Sequence, residues 1–76
     1  MKKFVVKGRR GMQVLNVQVV ESTPSTRVIN IQTEDGKMHK NIFLIQGHYG
    51  WEAIPNGTRK MQYHIWAEHL LNSYSL

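Results

Sequence analysis

Cysteine is absent from this 76-residue sequence, and proline occurs only twice. Without cysteine the chain can form neither a disulfide nor a thiolate zinc site, which are common supports of small domains. A chain this short has material for one hydrophobic core, so multi-domain architectures are excluded. Because a core of that size stabilises a fold only modestly, we expect association into a homodimer.

Long apolar runs are also lacking. No stretch reaches the roughly 18 apolar residues of a membrane-spanning helix, and no segment combines a basic face with a strongly apolar one. The basic start of the chain is followed by only three apolar residues, Phe4-Val5-Val6, so we expect no secretion signal. We therefore expect a cytoplasmic protein with no membrane partner. The apolar content of 41% is still sufficient for a folded domain.

Acidic residues are few and unevenly placed. The sequence has five Asp and Glu against ten Lys and Arg, which gives a formal net charge of +5. The first twenty residues contain no acid and five cations, which are Lys2, Lys3, Lys7, Arg9 and Arg10. Since the rest of the chain is neutral overall, the whole excess belongs to this segment. Such a segment attracts phosphate backbones, although lysines on an edge strand also guard against aggregation.

Alternating and β-branched segments make up most of the chain. They predict strands over residues 2–7, 12–20, 27–34 and 37–45, with a further short strand over 51–54. Asp35-Gly36 lies between two alternating segments and is typical of a two-residue type I′ hairpin turn. That turn predicts four opposed pairs: Gln32 with His39, Asn30 with Asn41, Ile29 with Ile42, and Val28 with Phe43.

The C-terminal part of the sequence has helical periodicity. Thr58 is a suitable N-cap for a helix over residues 59–73. Met61 and Ile65 lie on one flank, where they cover a second part of the core or form a dimer contact. The opposite, apolar stripe should pack on the sheet and comprises Tyr63, Trp66, Ala67, Leu70, Leu71 and Tyr74. The sequence thus predicts a single α+β domain over residues 1–76, a small antiparallel β-meander of three to five strands with one C-terminal α-helix on its apolar face.

The predicted sheet has one apolar face and one polar, uncharged face. Because apolar residues such as Leu15 and Ile31 must share the inner side, the residues between them fall on the other side. Lys40 departs from this pattern and is expected at the margin of the apolar face, beside Ile31. The predicted polar face consists of Asn16, Gln18, Asn30, Gln32, His39 and Asn41, with Phe43 or Tyr49 as candidate stacking rings.

Catalytic and metal-binding patterns are weak. His64 and His69 are five residues apart, so they point in different directions on a helix, and without cysteine the usual zinc sets are excluded. No nucleophile elbow, phosphate-binding glycine loop or paired-carboxylate motif occurs. We therefore assign no catalytic residue, no metal and no cofactor. One alternative remains. His48 and Glu52, together with a nearby arginine, are the fewest groups that general acid–base cleavage of RNA without a cofactor requires, and small basic α+β folds are used by ribonuclease toxins.

Binding is the best-supported class of function. Amide side chains on a sheet can hydrogen-bond to base edges, and single-stranded RNA commonly lies on antiparallel sheets. We expect a non-enzymatic nucleic-acid-binding module whose N-terminal basic strand and turn contact phosphates, with RNA or single strands favoured because no helix-turn-helix occurs. The alternative is a small protein-interaction module, an inhibitor or adaptor of the kind that viruses and mobile elements encode, acting by binding a partner protein.

Overall fold

A computed structural model of the chain describes residues 1–8, 11–48, 50–54, 60–74 and 76, with side chains at all of these except 54, 60 and 61. Within these residues the strands are β1 (Lys2–Gly8), β2 (Gly11–Ser22), β3 (Thr26–Gln32), β4 (Met38–Gly47) and β5 (Gly50–Ile54). The C-terminal helix begins as α1 (Lys60–Ala67) and continues as a π-helical segment (Glu68–Ser73). The proposed helix start at Thr58 and Arg59 lies outside the described residues.

The described strands form one antiparallel sheet in the order β1-β2-β3-β4-β5. Each strand therefore pairs with its neighbour in the sequence, and the helix follows the last strand. This arrangement confirms the predicted α+β fold, a β-meander with one C-terminal helix. All five strands predicted from the sequence are present, with ends that differ from the expected positions by up to two residues.

The inner face of the sheet, meaning the face that the helix covers, holds the hydrophobic core. Alternate strand residues point inward, as the period of two residues in a strand requires, and they meet apolar residues of α1 and of the π-helical segment. Tyr63 is partly buried against this core, whereas Tyr74 is exposed and packs its ring 5.1 Å from that of Phe4. The buried residues are Val6, Leu15, Val17, Ile29, Ile31, Ile42, Leu44, Trp66, Ala67, Leu70 and Leu71.

The hairpin between β3 and β4 differs from the prediction in its turn. The Gly36 N–H donates to the Thr33 carbonyl at 2.9 Å, and the Thr33 N–H donates to the Lys37 carbonyl at 3.0 Å. Three residues, 34–36, therefore form the loop instead of two. Gly36 occupies a φ of 87°, which glycine adopts readily. Asp35 fastens the loop, because its carboxylate accepts hydrogen bonds from the Thr33 hydroxyl and from the Lys37 N–H.

This longer loop shifts the strand register beside the turn. Gln32 pairs with Met38 and Ile31 pairs with His39, so the predicted pairs Gln32 with His39 and Asn30 with Asn41 are wrong. An extra residue in β4 then restores the register, so that the predicted pairs Ile29 with Ile42 and Val28 with Phe43 are confirmed. Asn41 occupies this β-bulge with a φ of 57°, a conformation that asparagine tolerates better than most residues.

The shifted register exchanges the places of two neighbouring residues. His39, and not Lys40, lies opposite Ile31 on the inner face, and Lys40 is exposed. The sequence prediction was wrong for both residues because it assumed an uninterrupted hairpin. The three-residue loop shifts the register by one residue, and the bulge shifts it back. Only the residues between the loop and the bulge therefore lie on the opposite face from the predicted one.

The chain after the helix is fastened to the sheet on two sides. The Tyr74 hydroxyl donates to the Val5 carbonyl at 2.6 Å and so covers part of the β1 edge. Arg27 on β3 donates from Nε to the Leu76 carbonyl at 3.1 Å, and its guanidinium lies 5.0 Å from the centre of the Trp51 ring. The helix is therefore held over the inner face, which leaves the outer face of the sheet uncovered by it.

Candidate nucleic-acid interface

The outer face of the sheet, turned away from the helix, carries a group of four amide side chains. Asn16 pairs with Gln32 and Gln18 pairs with Asn30 across β2 and β3, so the four side chains alternate with the inward-facing core residues. This confirms the predicted proximity of these four residues. We call Asn16, Gln18, Asn30 and Gln32 the amide patch. Gln18 is exposed and the other three are half-buried.

Hydrogen bonds connect the amide patch to the bulge in β4. The Asn41 N–H donates to Oδ1 of Asn30 at 2.9 Å. Nδ2 of the same Asn30 donates to Oε1 of Gln18 at 3.4 Å. Asn41 itself is exposed beside the patch rather than paired with Asn30 in the regular ladder. The bulge therefore does not break the patch but orients one of its amides.

Two of the predicted phosphate-binding lysines share the outer face with the amide patch. Lys3 pairs with Asn16, so the side chains of Lys3, Asn16 and Gln32 form one row across three strands. Lys7 lies four residues after Lys3 on the same face of β1, opposite Met12. Both lysines are exposed. The register thus places cationic groups beside amide groups on one surface.

The other predicted basic residues are placed differently. Lys2 pairs with Val17 and therefore belongs to the opposite side of β1 from Lys3, although it is exposed. Arg9 and Arg10, which fall between β1 and β2 in the sequence, lie outside the described residues. The structure therefore brings Lys3 and Lys7, but not Lys2, onto the outer face.

His39 does not belong to this surface, contrary to the prediction. Its Nδ1 shares a hydrogen bond with the Tyr63 hydroxyl at 2.9 Å, and its ring lies edge-on to Tyr63 and Trp66 with centroids 5.4 and 5.1 Å away. Burial lowers the pKa of His39 from its ordinary value, and the positive charge of Lys37 lowers it further while Asp35 opposes the shift. His39 is thus a neutral packing partner of the helix near pH 7.

Gln13 completes this inner polar cluster, and nothing in the alternation pattern singled it out. Nε1 of Trp66 donates to Oε1 of Gln13 at 3.3 Å, which satisfies the indole N–H at the edge of the core. A Cβ atom on Gly8 would lie only 2.5 Å from the same Oε1. A side chain at position 8 would therefore displace the end of Gln13, the diagonal neighbour of Gly8 on β2. Because Gly8 belongs to a Gly-Arg-Arg-Gly segment that is typical of a turn, the sequence did not indicate its contact with Gln13.

Acidic side chains occupy the margins of the outer face. Glu34 accepts a hydrogen bond from the Val14 N–H at 3.3 Å, where β3 ends and leaves that donor without a strand partner. Glu21 pairs with Val28, and Glu52 pairs with Ile45 on the far strand β5. Glu21 lies on β2 beyond Val17, the residue that pairs with Lys2, and Glu52 is separated from β1 by three strands, so the positive part of the face lies at β1.

Of the two candidate stacking rings, Phe43 is half-buried on the outer face opposite Val28, two residues along β3 from Asn30 of the amide patch, and Tyr49 lies outside the described residues. His48 and Glu52 are both exposed near the β4–β5 turn, where the Glu52 carboxylate lies 3.6 to 3.7 Å from the position of a Cβ on Gly47. Within the part of the chain that the structure describes, no group of three or more His, Asp or Glu residues could hold a metal ion.

Of the two residues predicted at a dimer contact, Ile65 is half-buried on α1, and the Met61 side chain lies outside the described set. No helix among the described residues is long and apolar enough to cross a membrane.

In comparisons with known proteins, no family model, curated protein or solved structure matches this chain.

Proposed function

We propose that this protein binds single-stranded nucleic acid, RNA above all, on the outer face of its sheet and without catalysing a reaction. The observation that supports this most is the row formed by Lys3, Asn16 and Gln32. It places a cation for a phosphate next to amides that can donate to and accept from bases. Phosphate contacts supply affinity and base contacts supply selectivity, so a shared surface serves both.

The shape of the surface favours single strands over a duplex. The amide patch lies on β2 and β3 in the interior of an open sheet, where unpaired bases can lie flat against it. A duplex would offer only its phosphates and groove edges to such a surface, and among the described residues no helix lies on that side to enter a groove. Lys7, further along β1 on the same face, provides a second cation for a second phosphate.

A salt series tests this proposal. Fluorescence anisotropy with a labelled single-stranded RNA should show affinity that falls with salt, with a slope of about −0.7 in log K against log salt for each phosphate contacted. Replacing Lys7, Arg9 and Arg10 together by Glu should weaken binding and flatten that slope. Affinity that ignores salt, or that survives this triple replacement, contradicts the proposal.

A protein partner is the second candidate, and one feature of the same surface favours it. Val5 and Met12 are exposed to 45% and 66% on β1 and β2, between and beside the lysines. Exposed apolar side chains flanked by cations suit a partner protein with an acidic, partly apolar surface.

Replacing both Val5 and Met12 by Thr should leave RNA affinity within about twofold under the nucleic-acid proposal, since phosphate contacts supply most of that affinity. Loss of RNA binding in this variant would instead favour an apolar contact.

The ribonuclease alternative has its own test. Incubation of the protein with the same RNA should give no cleavage products, and His48→Ala and Glu52→Ala should bind RNA as the unchanged protein does. Cleavage that either substitution abolishes would replace the binding proposal with an enzymatic one.

A further inference from the structure

We infer that Gln18 selects the base at the amide patch, by presenting N–H donors that favour uracil over adenine; this inference rests on the proposed binding of single-stranded nucleic acid. The argument starts at the bulge in β4. A backbone N–H can only donate a hydrogen bond, so the atom of Asn30 that lies 2.9 Å from the Asn41 nitrogen must be the oxygen Oδ1. The bulge therefore determines which way the Asn30 amide is turned.

The orientation of Asn30 determines that of its neighbour. With Oδ1 towards Asn41, the Asn30 Nδ2 is directed at Gln18, and the Gln18 atom that meets it at 3.4 Å is the acceptor Oε1. The other end of the Gln18 amide, Nε2, carries two N–H donors. Because Gln18 is exposed, this donor end is the part of the amide that a ligand on the outer face would meet. The bulge thus sets the polarity of Gln18 through Asn30.

This polarity discriminates between bases. A glutamine reads adenine by using its oxygen and its nitrogen side by side, against the N6 amino group and N7. The oxygen of Gln18 is directed at Asn30, so that paired contact is not offered. Adenine also has acceptors, N1 and N7, but both lie beside the N6 amino group, whose N–H groups cannot pair with the N–H donors of Gln18. Uracil has two ring carbonyl acceptors and no exocyclic amino group, so it accepts from Gln18 without that conflict. A phosphate beside such a base lies within the reach of Lys3, which neighbours the patch through Asn16.

The experiment compares two labelled RNAs of equal length, oligouridine and oligoadenosine, by anisotropy at one low salt concentration. The unchanged protein should bind oligouridine about tenfold more tightly, the discrimination expected of about 1.4 kcal/mol in a base contact. Gln18→Met keeps the length of the side chain but removes the donors, so this preference should vanish. Gln46→Met, an exposed glutamine opposite Trp51 on the other side of the sheet, is the matched control and should keep it.

Asn30→Asp provides a second variant with a different expected result. An aspartate at position 30 can still accept from the Asn41 N–H but can no longer donate to Gln18. Gln18 should then turn its Nε2 inward to the carboxylate and its oxygen outward. A lone outward oxygen can accept from the N6 amino group of adenine but not from the carbonyl groups of uracil, so the preference should shift towards adenine. Asn30→Ala, which removes both contacts without adding an acceptor, should abolish the preference without shifting it.

The outcomes separate this inference from the proposed function. Binding of neither RNA by the unchanged protein contradicts the proposed function itself. Equal binding of both RNAs, or a uridine preference that persists in Gln18→Met, overturns the inference while the binding proposal stands. A uridine preference lost in Gln18→Met, kept in Gln46→Met and shifted towards adenine in Asn30→Asp supports it.

Discussion

The two faces of the sheet come from the same strands but have opposite chemistry. On β2, Leu15 and Val17 are buried under the helix, whereas Asn16 and Gln18 between and after them belong to the amide patch on the outer face. The period-2 alternation of a strand is sufficient to divide one segment in this way. The comparison indicates that the inner face determines stability and that the outer face is available for binding. Substitutions one residue apart should therefore affect different properties.

The largest contrast is expected between two adjacent residues of β2. Leu15→Ala removes a fully buried side chain and should lower the free energy of unfolding by about 2–5 kcal/mol. Asn16→Ala should change it by no more than about 0.5 kcal/mol, since a half-buried outer-face amide has little packing to lose. Urea denaturation followed by circular dichroism measures both values. Comparable losses in the two variants would contradict the division between the faces.

A smaller effect is expected at the edge of the inner face. Gly8→Ala places a Cβ where the Gln13 side chain lies, so Gln13 must move away from the Trp66 indole. The indole N–H then loses its partner at the margin of the core, and we expect a loss of about 1–2 kcal/mol.

The double variant provides the control for this prediction. Because Gln13→Ala removes the side chain with which the new methyl group collides, Gly8→Ala should destabilise the Gln13→Ala protein less than the unchanged protein. Additive losses in the two single variants would show that the Gly8 position matters for another reason.

The smallest effect on stability should come from the pH dependence of His39. Its pKa is lowered in the folded protein, so below the ordinary value of 6.5 the unfolded chain binds more protons than the folded one. The stabilisation from neutral His39 is therefore present above pH 6.5 and decreases as pH falls through the folded-state pKa. Midpoints of urea denaturation between pH 7.5 and about 5 measure this slope. The same midpoints are measured for Tyr63→Phe, a variant that keeps the ring contact but lacks the hydroxyl that meets His39 Nδ1.

Replacement of the histidine tests the same slope directly. His39→Gln should flatten the pH dependence of stability between about pH 6.5 and 5, because it removes the group that titrates. A slope unchanged by this substitution would mean that His39 is not the residue responsible.

The fold and most of the outer face follow from alternation in the sequence. The positions of Leu15, Val17, Ile29 and Ile31 determine which side of each strand is buried, and this places Asn16 and Gln18 beside Asn30 and Gln32. This proximity was predictable because a slip of one residue would have exposed the whole apolar set, whereas the exact pairs were not, since a shift of two residues keeps every side chain on its face. The buried helix residues Trp66, Ala67, Leu70 and Leu71 were predictable from helical periodicity, whereas the π-helical winding of Glu68–Ser73 was not.

His39 was not predictable by that argument. Asp35-Gly36 fits both a two-residue turn and the second half of a three-residue loop, and the choice between them reverses the facing of the next residues. The apolar pattern resumes only at Ile42, beyond the bulge, so it contains no information about residues 38–41. Gln13 was missed because its role depends on two distant residues, Gly8 and Trp66, that alternation does not relate.

The most direct test of nucleic-acid binding on the outer face compares two substitutions that change the net charge by the same amount. Lys3→Glu alters the cation beside Asn16, whereas Lys37→Glu alters an exposed lysine at the β3–β4 loop. The affinity for single-stranded RNA should fall about tenfold or more in Lys3→Glu, with a flatter salt dependence, and clearly less in Lys37→Glu. Equal losses in the two variants would mean that net charge alone attracts the RNA, and would contradict a specific interface on this face.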